Sequence, residues 1–138
     1  MNRGTHPLSR ISPTRLSVWF AYVVVLATLT HLPKATVGRF PIRIWDKLSH
    51  TLAYALLGWL SWWTFATRRA TLATGAAQRV SAGRIALGFA ALLLLAAADE
   101  YTQQWVGRDP SLTDWIANAI GIVIGLGGAM LMRWCRRA

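Results

Sequence analysis

The chain is short of most of what soluble enzymes build their sites from. It has one cysteine in 138 residues, Cys135 in the terminal RWCRRA, which excludes a disulfide framework and a metal site made of thiolates. It has five acidic residues against fifteen basic ones. No HExxH-like signature and no evident nucleophile is present. No repeat or low-complexity tract appears. A basic start precedes the first apolar run, as in a secretory signal, but no clear A-x-A cleavage site follows it.

What is present is apolar matter. Hydrophobic residues make up 54% of the chain and the mean hydropathy is +0.37, too apolar for a typical soluble domain of this length. A formal charge of +10 would suit a nucleic-acid binder. The basic residues, however, cluster at the ends of apolar runs, which is the pattern of membrane topology, and no nucleic-acid partner is expected.

Four runs stand out: Leu16 to Leu32, closed by Pro33; Leu48 to Ala66; Ile85 to Ala98; and Trp115 to Leu131. The expected fold is an all-α polytopic membrane protein with four transmembrane helices. Its membrane domain covers 16–134, between a basic tail at 1–15 and a short one at 135–138. The third run covers only about 21 Å at about 1.5 Å per residue, against a hydrocarbon core of roughly 30 Å. Its helix must therefore continue through Asp99, Glu100, Gln103 and Gln104. Ten Lys and Arg residues fall on the face carrying the two termini and the middle loop, and five on the other. The positive-inside rule then puts both termini in the cytoplasm and all five acids at the outer face.

Charged groups near hydrocarbon cost several kcal/mol and serve a purpose wherever they persist. Asp46 and His50 are i, i+4, with Tyr54 one turn further. Glu100, Gln103 and Gln104 share a helix face beside Asp99, and Asp114, Asn118, Gly121 and Gly125 form one stripe. These polar faces reach the same depth on the same side. Glu100 and His50 are expected to approach each other, with Asp114 and Asn118 closing the site. Each group also has a plain structural reading. Asp46 is a candidate N-cap, Ser111 and Asp114 have capping-box spacing, and Asn118 can bond between helices. His50 fits a hydrogen-bonded structural histidine, and Ala117, Gly121 and Gly125 fit a packing seam. Glu100 has the weakest structural reading.

The ordered set Asp46-Lys47-x-x-His50-x-x-x-Tyr54 with Leu57-Gly58, Asp99-Glu100-x-x-Gln103, Gly107-Arg108, and Asp114-x-x-x-Asn118-x-x-Gly121-x-x-x-Gly125 resembles the VanZ-like family. The resemblance covers roughly Trp45 to Gly125. Relatives commonly carry a hydrophobic-Pro-Gly-Arg turn, whereas QWVGR here lacks the proline. The family includes a protein associated with low-level resistance to the glycopeptide teicoplanin. The resemblance therefore implies a small membrane protein acting near the cell envelope, with no established reaction or cofactor.

Two function classes stay open. One is a binding factor whose partner is a membrane lipid, a cell-wall precursor or a glycopeptide, held by Asp46, His50, Tyr54, Asp99, Glu100, Gln103, Gln104, Arg108, Asp114 and Asn118. The other is an intramembrane enzyme with Glu100 or His50 as acid/base. A small exporter is less favoured, because such proteins carry an acid in their first span and Leu16 to Leu32 has none. No metal ligand is assigned, a divalent ion held by carboxylates and imidazole stays open for the enzyme reading, and a homo-oligomer is left open.

Overall fold

The apolar runs become helices in a computed structural model, which describes residues 11–33, 36, 46–66 and 81–136. Helix α1 covers Pro13–Thr30, α2 Asp46–Phe65, α3 Ala82–Thr102 and α4 Leu112–Cys135, and a 3-10 turn, Gln103–Val106, prolongs α3. No strand occurs among the described residues.

Local chemistry sets the helix ends. Pro13 opens α1, where a missing N–H costs nothing. Pro33 follows the C-terminal residue His31 and prevents continuation. The side chain of Ser81 accepts from the Arg84 N–H to start α3, and Ser111 accepts from Asp114 N–H to start α4. The 3-10 turn ends at Gly107, whose φ of 75° is left-handed and suits a residue without Cβ.

Three helical segments are long and apolar enough to cross a membrane: Pro13–Thr30, Ala82–Val106 and Leu112–Cys135. The helix does run past Ala98 through the acidic pair. The composition of α2 does not establish the fourth expected span, since its 20 residues include Asp46, Lys47, Ser49, His50, Ser61 and Thr64. Hydropathy records composition and not direction. His50, Ser61 and Thr64 are all buried against neighbouring helices.

Among the described residues the tightest contact is between α2 and α4, which run in the same sense. Thr51 Oγ1 donates to the Ala117 carbonyl at one end and Arg133 donates to the Ala66 carbonyl at the other. Between them the backbones touch. A Cβ on Gly125 would overlap the carbonyl oxygen of Ala55, and one on Gly121 would overlap that of Thr51. Gly58 answers from α2, where a Cβ would come within 2.8 Å of the Ile122 carbonyl oxygen. This is the small-residue packing that lets helices associate where lipid removes the hydrophobic drive.

α1 packs along α2, and α3 along α4. Polar bonds assist the first pair: Trp19 Nε1 donates to Ser61 Oγ at 2.8 Å and Tyr22 OH to the Ala53 carbonyl at 2.8 Å. Leu26, Tyr54, Leu57, Leu92, Ala96 and Ile122 form the core where the four helices converge.

Gly125→Ala should therefore destabilise the protein despite a better helix propensity, because overpacking against backbone costs about 1–3 kcal/mol. Gly127→Ala, where a Cβ meets nothing within 4 Å, should be neutral or slightly stabilising. Thermal melting and folded yield in detergent check this; equal behaviour of the two variants would mean that α2 and α4 are not in backbone contact.

Candidate functional site

Two consecutive carboxylates end α3, and about 100° of helical rotation separates them. Asp99, with a side chain only 8% exposed, faces α1 and α2. Its Oδ1 accepts from Thr30 Oγ1 at 2.8 Å, and its Oδ2 from Tyr54 OH at 2.9 Å and Gln103 Nε2 at 3.4 Å. His31 Nδ1 lies 3.7 Å from Oδ1. One side chain thus ties three helices together.

Glu100, also buried, turns toward the start of α4. Its Oε1 accepts from the Ser111 N–H at 2.7 Å, and its Oε2 from Gln103 Nε2 at 3.4 Å. In an ordinary capping box the acidic residue three positions after the cap reaches back to the cap's own N–H. Here Ser111 caps Asp114 N–H, but the Ser111 N–H is held by Glu100 from another helix. A carboxylate at this position also complements the positive end of the α4 dipole. Glu100, expected to have the weakest structural reading, has a definite one.

His50 and Asn118 form a second pair, with His50 Nδ1 2.9 Å from Asn118 Oδ1. An amide oxygen only accepts, so this pairing makes Nδ1 the protonated nitrogen. Asn118 is fully buried and its Nδ2 has no hydrogen-bond partner among the described residues. An unmet buried donor costs about 1–3 kcal/mol.

The remaining candidates are placed as follows. Arg108 donates to the Thr30 carbonyl at 3.3 Å, a cation at the C-terminal end of α1. Asp114 is half-buried in the first turn of α4. Gly121 and Gly125 face α2. Asp46 opens α2, and its side chain lies outside the described residues. Gln104 is exposed and not on the face of Glu100 and Gln103. The reason is that consecutive residues point about 100–120° apart around the axis, so with Gln103 buried beside Glu100 the side chain of Gln104 is carried outward.

Beside Glu100 an open groove of about 390 Å3 is lined by Ala97, Glu100, Tyr101, Pro110, Ser111, Leu112 and Trp115. Among the described residues no three His, Cys, Asp or Glu side chains converge to hold a metal ion.

A family model described as VanZ/LLP1 matches residues 7–133, nearly the whole chain. The chain belongs to the VanZ/LLP1 family. No curated protein and no solved structure matches it. In this VanZ/LLP1 chain the motif residues Tyr54, Asp99, Glu100 and Gln103 meet in one network, and His50 and Asn118 pair beside it.

The sequence reading missed Thr30, His31 and Thr102. His31 Nε2 lies 2.9 Å from Thr102 Oγ1, and its Nδ1 lies 2.9 Å from the Ala27 carbonyl oxygen. The available signal was the polar Thr30-His31 pair just before Pro33, at the end of a run judged only by its lack of charge.

Replacing Glu100 tests its capping contact. Glu100→Ala strands the Ser111 N–H and should cost about 1–3 kcal/mol or more, whereas Glu100→Gln keeps an acceptor oxygen and should cost clearly less. Thermal melting of both variants decides; identical losses would mean that the contact to Ser111 contributes nothing.

Proposed function

We propose that the protein is a four-span protein of the bacterial cytoplasmic membrane with both termini in the cytoplasm. At its outer, acidic end it binds an envelope lipid or lipid-linked cell-wall precursor, and through this it contributes to envelope function, including tolerance of glycopeptides such as teicoplanin.

The fourth span rests on geometry beyond composition. α2 lies beside α4 from Thr51 to Ala66, so what α4 crosses α2 crosses too. The orientation rests on charge. Arg15, Arg84, Arg133 and Arg136 sit at one end of the bundle, and Asp99, Glu100, Asp109 and Asp114 at the other. Arginine-rich ends stay in the cytoplasm.

The observation that carries the binding reading is the groove at Glu100. It pairs a buried carboxylate with Tyr101 and Trp115, side chains suited to the membrane–water interface. Its Ala97 and Tyr101 continue the exposed apolar face of Leu87 and Leu94 on α3, a face made for lipid. A lipid headgroup meets polar atoms there while its chains stay in hydrocarbon. Both carboxylates already accept from protein donors, Asp99 from three and Glu100 from two. That favours a fixed binding scaffold over a proton-transferring base, which needs an acceptor aimed at substrate.

Two outcomes are expected. In a Cys135→Ser background, Asp109→Cys should be labelled by an impermeant thiol reagent from outside and Ser81→Cys should not; the opposite pattern would reverse the orientation. Ala97→Phe, at an exposed helix position, should fill the groove and remove both co-purifying envelope lipid and glycopeptide tolerance with unchanged membrane abundance. Retained lipid and tolerance would sink the binding reading.

A further inference from the structure

The opposite, basic end of the bundle contains a cavity that the reading above does not use. It measures about 500 Å3 and lies between Trp19 of α1, Ser61, Trp62 and Phe65 of α2, and Gly88 and Phe89 of α3. That volume is within the roughly 300–1,000 Å3 of small-ligand pockets.

Chemistry narrows the occupant. The one hydroxyl on the wall, Ser61, donates to the Leu57 carbonyl at 2.7 Å and accepts from Trp19 Nε1 at 2.8 Å. The donors of both Ser61 and Trp19 are thereby used. A buried water needs two to four polar partners, so this space suits apolar matter. A helix is about 10–12 Å across with its side chains and would fill the volume in roughly one turn. A thin, flexible chain fits where a helix does not.

Charge narrows it further. Arg15 lies one turn before Trp19, with its guanidinium 5.0 Å from the Trp63 ring centre. Arg133 lies 6.0 Å from the ring centre of Trp62, a wall residue. Exposed Arg84 adjoins Ile85, another wall residue. These cations come from three different helices, and no described acidic residue lies at this end.

We propose that the cavity holds one acyl chain of an anionic phospholipid from the leaflet at the basic end, with the headgroup phosphate drawn to Arg84 and Arg15. The assignment does not depend on what binds at the acidic end. Gly88 offers a clean way to test it, because a Cβ there meets nothing within 4 Å and a larger side chain can enter the cavity without disturbing the packing.

The experiment is native mass spectrometry of the full chain, titrated with phosphatidylglycerol or phosphatidylcholine. One phosphatidylglycerol should be retained in preference to phosphatidylcholine. Gly88→Leu should weaken it about tenfold or more, the equivalent of two methylenes no longer buried. Arg84→Glu should weaken it about fivefold or more and abolish the preference. Gly127→Leu, on an exposed position of α4, should change nothing. Equal retention of the two lipids, or unchanged binding in Gly88→Leu, would overturn the proposal. So would a dimer that retains no phosphatidylglycerol and is broken by Gly88→Leu, since a second copy would then fill this site.

Should Gly88→Leu fail to fold, the wild-type protein in nanodiscs still decides. Phosphatidylglycerol bearing a diazirine at the end of one acyl chain should crosslink to Phe89 and Leu92 above exposed Leu87 and Leu94. Crosslinks concentrated on Leu87 and Leu94 would place the chain in bulk lipid and overturn the assignment.

Discussion

Backbone contact between α2 and α4 is the constraint on which the other features depend. Lipid tails are as apolar as leucine, so burying leucines between helices gains little inside a membrane. Close van der Waals approach is what remains, and it requires glycine at the crossing. Gly121 and Gly125 lie against Thr51 and Ala55, and Gly58 lies against Ile122. With that distance fixed, Asn118 reaches His50 and Thr51 reaches the Ala117 carbonyl. The seam also explains how α2 tolerates its polar residues. The helix is lined by protein on several sides, and His50, Ser61 and Thr64 are directed into those contacts.

The second constraint is the disposal of two adjacent carboxylates. Consecutive helical residues cannot share a partner face, so Asp99 and Glu100 turn to different neighbours and Gln103 spans the interval with one amide nitrogen. Asp99 closes α1 and α2 onto α3, while Glu100 fixes the start of α4. Each acid stands where lipid-exposed backbone or side-chain polarity would otherwise be costly. Their persistence so close to hydrocarbon has a structural reason as well as the functional one proposed.

Much of this was legible in the sequence. Apolar runs marked the four helices, and the shortness of Ile85 to Ala98 required the helix to continue through the acidic pair. The spacing of Asn118, Gly121 and Gly125 put them on one stripe. Other features could not be read by spacing. Gln103 and Gln104 lie on opposite flanks of Glu100, about 100–120° apart, and i, i+3 and i, i+4 spacing does not tell which flank faces the protein; the buried one is Gln103. The Glu100 contact with the Ser111 N–H joins two helices across the intervening turn and has no periodic signature. Nor did spacing identify the partner of the glycine stripe, which depends on how helices far apart in sequence are arranged. Thr30 and His31 carry no formal charge and so leave no mark in a run recognised by its lack of charge, although a hydroxyl and an imidazole can satisfy a carboxylate.

The two ends of the bundle differ for a reason that follows from these constraints. At the acidic end α1 is joined to α3 and to the following turn by directed bonds, from Thr30 to Asp99, between His31 and Thr102, and from Arg108 to the Thr30 carbonyl. Polar groups there had to be satisfied, and satisfying them drew the helices together. At the basic end the facing side chains of α1 and α3 are apolar, and the donors of Trp19 and Ser61 are used between α1 and α2. In water such a gap would close to bury its walls. In a membrane, closing it would only exchange contact with lipid chains for contact with side chains, with little free energy to gain. A bundle fastened at one end by hydrogen bonds and left apolar at the other therefore keeps an opening where its surroundings supply the filling.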